Sequence, residues 1–408
     1  MAKLPEGWVV ADLGEFCEGI RGVTYKPDDL AQINTEKTIT LLRSNNIKAG
    51  ALNFKDVQHV AQKNVNQKQV AQLGDIAVCM SNGSKRLVGK SAAFKYIPEG
   101  HRYTVGSFCS IFRPLKSACP VFVEQVFCSD QFQKQVDFSL AGSAINNLKN
   151  SDLITYQFLK PPVPEQQKIA TILSSVDDVI EKTRAQIDKL KDLKTGMMQE
   201  LLTKGIGHTE FKDSPLGQVP EGWQLLSMRD ICSVRQGLQI PISERHSKPS
   251  NNRWVYLTIR YINTGFDKSV AEYIENPKSS VVCTEDDIIL ARTGATGKVV
   301  TGISGVFHNN FFMVDYDRAK TVKNFLVQYL NSPFVQHEIS NRAGTTTIPD
   351  LNHGDFYTIP MILPPVAEQL KLAEVLESLD ILISNKISKY AAMEKAKKAL
   401  MQDLLTGK

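Results

Sequence analysis

The strongest constraint on the fold is that this chain contains the same phrases twice, about 200 residues apart. PPVPEQQKIATIL occupies residues 161–173, and PPVAEQLKLAEVL occupies residues 364–376. The opening LPEGWVVADLGEFC (4–17) likewise returns as VPEGWQLLSMRDIC (219–232). Solenoid repeats have far shorter periods, so this repeat predicts two domains of one kind in tandem.

The length of 408 residues also predicts more than one domain, because it exceeds the size of one ordinary core. The hydrophobic content of 42% and charged content of 22% are close to globular averages, so each half can bury a core. The repeat predicts this organisation: a globular domain at 1–160, a long helix at 161–205, a linker at 206–218, a second globular domain at 219–363 and a second long helix at 364–408.

The two tails carry the pattern of long helices. Prolines hold the entry of each tail extended, Glu165 supplies an acid to the first helical turn, and the next proline in the chain is Pro215. Apolar residues then recur at heptad spacing in both tails. The first seam is Leu173, Val176, Ile180, Ile187, Leu190, Met197 and Leu201, and the second is Leu376, Leu379, Ile383, Tyr390, Met393, Leu400 and Leu404.

A helix of about 40 residues is roughly 60 Å long, and one narrow apolar seam on it needs a partner. We therefore expect the two helices to pair as an antiparallel coiled coil. This pairing would place one globular head at each end with pseudo-twofold symmetry. The alternative is that each helix packs separately on its own domain.

The globular segments read as mixed α/β, so the fold class is α+β with two tandem heads. Runs rich in β-branched and apolar residues predict strands at 75–80, 107–114, 287–292 and 309–316. Short helices are predicted after them at 121–129 and 322–332. The loops between these elements are rich in Gly, Ser, Thr, Asn and basic residues, which can read bases and phosphates but also simply form turns.

The sequence gives little support for several other classes of protein. The seven cysteines are scattered without a CxxC pair, which argues against a disulfide framework or a zinc site, and the seven histidines show no ligand spacing. RTGATGK (292–298) lacks the first glycine and the final hydroxyl of a phosphate-binding loop. No apolar run is long enough to span a membrane, and the start lacks a secretory signal, so we expect a reduced, cytoplasmic protein without a metal site or a catalytic centre.

Halves that open with PEGW and close with PP-x-x-EQ-x-K-(I/L)-A plus a long helix resemble the specificity subunit of type I restriction–modification systems. The resemblance covers essentially the whole chain. Its most specific element is the doubled tail around Glu165-Gln166 and Glu368-Gln369, supported by the AG(S/T) segments near 142–143 and 344–345.

The resemblance implies that each globular segment is a target recognition domain that reads one half of a split DNA site, while the paired helices set the spacing. It also implies docking of two adenine-N6 methyltransferase subunits, which carry S-adenosylmethionine, and of motor-nuclease subunits, which use ATP and Mg²⁺ for restriction. The chain itself would bind no cofactor. The heads share little beyond framework positions, which predicts an asymmetric target. Two readers on one face of the DNA are expected to bind half-sites about one helical turn apart, roughly 34 Å.

The candidate DNA contacts come from the loops, chosen by position and side-chain chemistry. They are Arg21, Lys26, Asn82, Lys85, Arg86, Lys90, Asn146, Asn147, Gln239, Arg245, Arg292, Lys298, Thr345 and Thr346. The candidate subunit and helix interface is Glu165, Gln166, Leu173, Val176, Ile180, Ile187, Leu190, Glu368, Gln369, Leu376, Leu379 and Ile383. Two alternatives are a single-chain restriction or modification enzyme with its own active site, and a coiled-coil scaffold with no nucleic-acid role.

Overall fold

The chain forms two compact units in the computed structural model. Unit 1 combines Met1–Arg184 with Ser388–Lys408, and unit 2 is Ala185–Ile387. We call residues 4–160 head 1 and residues 219–363 head 2. The residues that the structure describes are 4–48, 50–141, 146–214, 217–344 and 349–408.

Head 1 is built from short strands and three short helices, followed by the first long helix. Its strands are β1 (Val9–Asp12), β2 (Cys17–Arg21), β3 (Leu30–Ala31), β4 (Thr38–Leu42), β5 (Ile47–Lys48), β6 (Ala51–Leu52), β7 (Gln58–Ala61), β8 (Ile76–Cys79), β9 (Ser91–Ala93), β10 (Tyr103–Val105), β11 (Cys109–Pro114) and β12 (Gln157–Lys160). Its helices are α1 (Pro120–Phe127), α2 (Asp130–Ala141) and α3 (Asn150–Leu153), and the long helix is α4 (Val163–Lys204).

The second half has a similar order, with an additional strand pair at its start and two further short helices between its strands. Its strands are β13 (Phe211–Ser214), β14 (Gly217–Pro220), β15 (Gln224–Ser227), β16 (Cys232–Gln236), β17 (Arg253–Leu257), β18 (Tyr273–Glu275), β19 (Val282–Cys283), β20 (Ile289–Ala291), β21 (Val299–Val300), β22 (Gly305–Phe307), β23 (Phe311–Tyr316) and β24 (Pro360–Leu363). Its helices are α5 (Met228–Ile231), α6 (Ile259–Asn263), α7 (Lys323–Leu330), α8 (Pro333–Ala343), α9 (His353–Tyr357) and the long α10 (Val366–Thr406).

One antiparallel sheet has the same topology in both heads. The order β2-β11-β8-β9 in head 1 corresponds to β16-β23-β20-β21 in head 2, and these strands are antiparallel. A second sheet contains the parallel pair β4–β10 in head 1 and β17–β22 in head 2. The strands predicted at 75–80 and 287–292 are confirmed as β8 and β20, because runs of fully buried apolar residues suit a central strand.

The predicted antiparallel pairing of the long helices is confirmed within each unit. In unit 2, Lys194 Nζ lies 2.6 Å from Asp380 Oδ1, and Lys386 Nζ donates to Gln186 Oε1 at 2.8 Å. From Gln186 to Lys194 the residue numbers rise along α4, while those of the partners fall from Lys386 to Asp380 along α10. The two helices are therefore antiparallel. In unit 1, Lys397 Nζ on α10 lies 2.5 Å from Asp177 Oδ1 on α4.

The predicted apolar seam is buried along the middle of each helix and shifts by one residue toward the ends. Ile180, Ile187 and Ile383 are buried as predicted, and Val176, Leu190 and Leu379 are half-buried. Toward the C-terminal ends, the deeply buried residues are Met198, Leu202, Met401 and Leu405 rather than Met197, Leu201, Leu400 and Leu404. An α-helix drifts from a strict heptad, and these ends pack on head cores rather than along a seam.

The division of the chain differs from a simple head-then-tail order. Met401 and Leu405 share a buried cluster with Trp8 and Leu173, so the last turns of α10 complete the core that contains head 1. The segment 206–218, expected to be a linker, contains β13 and the start of β14, which pair as antiparallel strands. Within the described part of the chain, no helix is long and apolar enough to cross a membrane.

Candidate nucleic-acid interface

Two of the predicted loops of head 1 lie side by side beyond the end of β8. Ser81 forms an isolated antiparallel bridge with Asn147, and the Asn82 amide N–H donates to Asn146 O at 3.3 Å. Asn146 Nδ2 donates in turn to Gly83 O at 3.3 Å. The loops that were selected separately from the sequence therefore form one surface, although residues 142–145 lie outside the described part.

A third segment, the turn 106–108 between β10 and β11, is hydrogen-bonded to the start of the first of these loops. The amide N–H groups of Met80 and Ser81 both donate to Phe108 O, at 2.8 and 3.1 Å. The Cys109 amide N–H donates to Gly106 O at 2.8 Å, which closes the turn. The turn is thus held by backbone hydrogen bonds on both sides.

A fourth segment reaches the same place because glycine allows the backbones to touch. The Gly22 amide N–H donates to Cys109 O at 3.0 Å. A Cβ atom at Gly22 would lie 2.1 Å from Gly106 O and 2.6 Å from Cys109 O, so no other residue fits without displacing the turn. We call the four segments 20–22, 81–86, 106–108 and 146–147 loop cluster 1.

Head 2 builds the corresponding loop cluster 2 from segments 235–237, 292–298, 308–310 and 349–350. Thr293 bridges to Asp350, and the Arg292 amide N–H donates to Asn310 O at 2.7 Å. A Cβ at Gly237 would lie 2.2 Å from Phe307 O, which repeats the close approach at Gly22. The backbone framework is therefore duplicated, while the side chains on it differ.

The basic residues predicted in head 1 remain largely accessible. Arg21, Lys26, Lys85 and Arg86 are exposed, and so is Asn147. A cluster of exposed cationic side chains suits contact with phosphates.

Two other predicted contacts of head 1 are partly engaged by the protein itself. The Asn82 side chain donates to Ser44 Oγ at 3.2 Å and accepts from the Ser84 amide at 3.0 Å, so it shapes the loop. Lys90 is half-buried and lines a cavity of about 650 Å³ together with residues of α2 and the end of α10. Its position in that cavity separates it from the exposed residues of loop cluster 1.

Two predicted arginines of head 2 are held in internal contacts. The Arg292 guanidinium lies 2.7 Å from Asp350 Oδ2, donates to Leu351 O at 3.2 Å, and stacks over the Phe312 ring with its side chain 16% exposed. Arg245 pairs with Glu272 at 3.0 Å and donates to Ile240 O. Both residues therefore hold the fold of head 2, a role that the sequence does not reveal because their partners are distant along the chain.

The remaining predicted residues of head 2 lie at its surface or outside the described part. Lys298 is exposed and donates to Asn263 Oδ1 at 2.8 Å, and Gln239 is exposed and accepts from Asn309 Nδ2 at 2.7 Å. Thr345 and Thr346 lie outside the described residues.

A histidine helps to shape loop cluster 2. His308 Nδ1 accepts a hydrogen bond from the Asn310 amide N–H at 3.0 Å, which requires the neutral ring with its proton on Nε2. Burial, followed by the nearby Arg245 charge, lowers the pKa of His308 below its usual value of 6.5. The neutral ring is thus the form that the fold favours.

In each half, the repeated PEGW segment contacts the repeated PP-x-x-EQ segment. Trp8 Nε1 of the first PEGW donates to Glu165 Oε2 at 2.9 Å, and Trp223 Nε1 donates to Glu368 Oε2 at the same distance. Each phrase pair therefore ties the start of a head to the first turn of its long helix. Glu165 and Glu368, which we assigned to the subunit and helix interface, contact the tryptophans of the heads, and Glu368 also accepts from the Ile206 amide N–H at 3.2 Å, just after α4.

The glutamine that follows each of these glutamates is fully buried and serves the same junction. Gln166 Oε1 accepts from the Cys119 amide at 3.0 Å while its Nε2 donates to Pro161 O at 2.9 Å. Gln369 makes the matching bonds to the Val322 amide and to Pro364 O, at 2.8 Å each. Because Cys119 and Val322 precede α1 and α7, each glutamine satisfies an open N–H at a helix start.

A second matched contact fixes the partner helix. Gln125 Nε2 donates to Asp177 Oδ2 at 3.2 Å, and the same carboxylate pairs with Lys397. In unit 2, Asp380 accepts from Gln328 Nε2 at 2.8 Å and pairs with Lys194. Lys194 and Lys397 therefore each pair with a carboxylate on the opposite long helix.

Sequence reasoning missed the turn 106–108 and these junction contacts. The repeat offered a signal for both, since PEGW and PP-x-x-EQ occur together in both halves of the chain, and since SFC (107–109) aligns with NNF (309–311). Among the described residues, no group of three or more His, Cys, Asp or Glu side chains is arranged to hold a metal ion. All seven cysteines are free thiols.

Comparison with known proteins gives a consistent result. The family model described as "Type I restriction modification DNA specificity domain" matches residues 5–192 and 220–392. The EcoKI specificity subunit of Escherichia coli K12 is 26% identical, with 92% of this chain and 83% of that protein covered. The MjaVIII specificity subunit of Methanocaldococcus jannaschii is 27% identical over 100% of this chain and 94% of that protein.

Two solved structures share the fold. The type I restriction–modification S subunit from M. genitalium has a TM-score of 0.59 at 13% identity, with 99% of this chain and 97% of that one covered. A chain from a study of complex assembly and conformational transition in the type I R-M system has a TM-score of 0.57 at 16% identity, with both chains fully covered.

Proposed function

Because the chain belongs to the type I restriction–modification DNA specificity family, we propose that it is the subunit that selects the DNA target. Each head reads one half of an asymmetric bipartite site, and the paired helices α4 and α10 set the spacing between the halves. The observation that carries this proposal is the duplicated loop cluster. One backbone framework occurs twice and presents different side chains each time, as expected of two readers of different sequences.

The accessible chemistry of loop cluster 1 supports contact with DNA. Lys85 and Arg86 supply positive charge next to Asn147, and they stand on a framework that backbone hydrogen bonds fix. Lysine and arginine bind phosphates, while arginine and asparagine also bind base edges in the major groove. Phosphate contacts would position the head, and base contacts would give it specificity.

The long helices also carry a surface for partner subunits. Ile172 and Val179 of α4 are exposed one heptad apart in unit 1, and Leu370 and Ile381 of α10 are exposed in unit 2. Leu370 and Ile381 line one groove together with Val322. Exposed apolar side chains grouped in this way mark sites of protein association.

We assign these helix surfaces to two adenine-N6 methyltransferase subunits, with motor-nuclease subunits completing a restriction enzyme. S-adenosylmethionine, ATP and Mg²⁺ would then be bound by those partners. The chemistry of methyl transfer lies outside this chain, which contributes the choice of site.

The proposal is tested by methylation mapping. The purified chain is mixed with its adenine methyltransferase subunit and S-adenosylmethionine, and modified adenines are located by sequencing. We expect methylation only when the chain is present, at two unlike half-sites separated by a fixed spacer. Methylation that is independent of the chain would contradict a specificity role.

A further inference from the structure

Phe108 is an exposed aromatic side chain at the centre of loop cluster 1. The residue is 66% exposed, although phenylalanine is usually buried. Its carbonyl oxygen accepts hydrogen bonds from Met80 and Ser81, directly before the basic loop that holds Lys85 and Arg86. An exposed apolar residue is therefore joined by its backbone to the segment that leads into the basic loop.

The ring is presented on a rigid support. The two hydrogen bonds to Phe108 O, the bond from Cys109 to Gly106 O and the close backbone approach of Gly22 fix the turn on three sides. A contact group held in place by its backbone loses little conformational entropy when it binds. This is the arrangement expected of a residue that contacts a ligand and not of a mobile loop tip.

Head 2 has a different residue at the same position. Cys109 pairs with Cys79 across β11 and β8, and Phe311 pairs with Ala291 across β23 and β20. The residue before each of these is Phe108 in head 1 and Asn310 in head 2, and the carbonyl of each accepts from the loop after the central strand. One framework position thus carries an apolar ring in one head and an amide in the other.

We propose that Phe108 is a specificity-determining residue of head 1, which makes an apolar contact with a base of the half-site that this head reads. The inference rests on the proposed function. Phenylalanine contacts the thymine methyl group or the face of a base, whereas lysine and arginine bind phosphates or the polar edge of guanine. The ring adds a base contact to a surface that would otherwise be dominated by charge.

The test compares Phe108→Ala with Tyr96→Ala in the complex with the methyltransferase. Tyr96 is 70% exposed, but it follows β9, whose Ala93 pairs with Ile76 at the opposite end of β8 from Met80. Methylation is mapped on a random-sequence library, and the dissociation constant is measured on the mapped site and on an unrelated duplex. Melting temperatures verify that each variant is folded.

For Phe108→Ala, we expect the sequence preference to relax at one or two adjacent base pairs of one half-site only. Affinity for the mapped site should fall about tenfold, as for loss of one good base contact, with affinity for the unrelated duplex unchanged. Tyr96→Ala should match the wild type, and Phe108→Tyr, which keeps the ring, should retain most of the preference.

An unchanged preference in the folded Phe108→Ala variant would overturn the inference, and so would an equal loss in both half-sites. An equal loss of affinity for both duplexes would also overturn it, because it would indicate a nonspecific contact. Failure of the wild-type chain to direct methylation would instead refute the proposed function, so the two failures are distinguishable.

Discussion

At the scale of single residues, the most informative side chains are those that link the repeated phrases. Gln166 is fully buried and satisfies both the Cys119 amide N–H and Pro161 O. The pair Glu-Gln therefore recurs because each head needs one carboxylate for its tryptophan and one amide for the start of a helix, α1 in head 1 and α7 in head 2. Its repetition reflects the junction between head and helix more than the pairing of the helices.

Replacing Gln166 with Ala should lower the free energy of unfolding of the chain. The substitution leaves two buried backbone groups without partners, and each such group costs about 1–3 kcal/mol. Urea denaturation of the variant measures the loss. The neighbouring Gln167 is exposed, so Gln167→Ala is the matched control and should change stability little. Equal stability of the two variants would contradict this role.

Two arginines that look alike in the sequence should behave differently. Arg86 is exposed in loop cluster 1, so Arg86→Ala should weaken DNA binding and reduce the slope of log K against log salt by about 1, without loss of stability. Arg292 holds Asp350 and Leu351 O, so Arg292→Ala should lower the melting temperature. DNA titrations at several salt concentrations and thermal melts separate the two effects. A stable Arg292→Ala variant with an altered salt slope would refute the distinction.

Acidification should destabilise head 2 through His308. Its pKa is lowered in the folded chain but stays near 6.5 in the unfolded chain, so the unfolded state binds more protons as the pH falls through that value. Stability is therefore fully present above about pH 6.5 and declines below it. Melting temperatures between pH 7.5 and 5.5 should fall more steeply for the wild type than for His308→Gln. Parallel curves would exclude this histidine as the cause.

At the scale of elements, the sequence predicts the long helices and their pairing, but it does not predict how their ends pack on the head cores. The heptad spacing that includes Ile180, Ile187 and Ile383, together with the absence of proline, is enough to predict that the segments are helical, how long they are and that they pair. The one-residue shift toward Met198 and Leu202 depends on the shape of the head core, which periodicity does not encode. For the same reason, the sequence indicated Lys85 and Arg86 as exposed residues, while the internal partners of Arg245 and Arg292 and the turn of Phe108 required the tertiary fold.

The two faces of α10 should respond differently to truncation. Leu376 is fully buried in the head 2 core, so Leu376→Ala should cost about 2–5 kcal/mol of stability. Leu370 is 54% exposed, so Leu370→Ala should leave the melting temperature nearly unchanged. Under the proposed function it should weaken methyltransferase binding, which titration calorimetry measures. Unaltered binding by Leu370→Ala would remove this residue from the docking surface.

At the scale of the whole molecule, unit 1 is assembled from two segments that are far apart in the sequence, whereas unit 2 is one continuous stretch. Unit 1 needs Ser388–Lys408 in addition to its own head, because Met401 and Leu405 lie in the same buried cluster as Trp8. Neither the composition nor the repeat indicates this exchange, since both tails look like simple extensions of the domains before them. Linear order along the chain is therefore a poor guide to which residues fold together.

Removal of Ser388–Lys408 should accordingly damage unit 1 and spare unit 2. The deletion exposes the apolar residues that Met401 and Leu405 cover, so limited proteolysis should cleave head 1 much faster than in the full chain. Fragments from Ala185–Ile387 should persist at the wild-type rate. Equal protection of head 1 in both proteins would show that the last segment is dispensable.

The packing of Gly407 has a consequence for how such a protein can be rearranged. A Cβ at this glycine would lie 2.7 Å from Pro5 Cγ, so the last turn of the second long helix rests against the first residues of head 1. Joining the two ends with a short peptide and opening the chain between the two copies would yield a circular permutant in which head 2 is translated first. Each unit would keep the same neighbours in that permutant, so we expect it to fold with either half of the recognition code synthesised first.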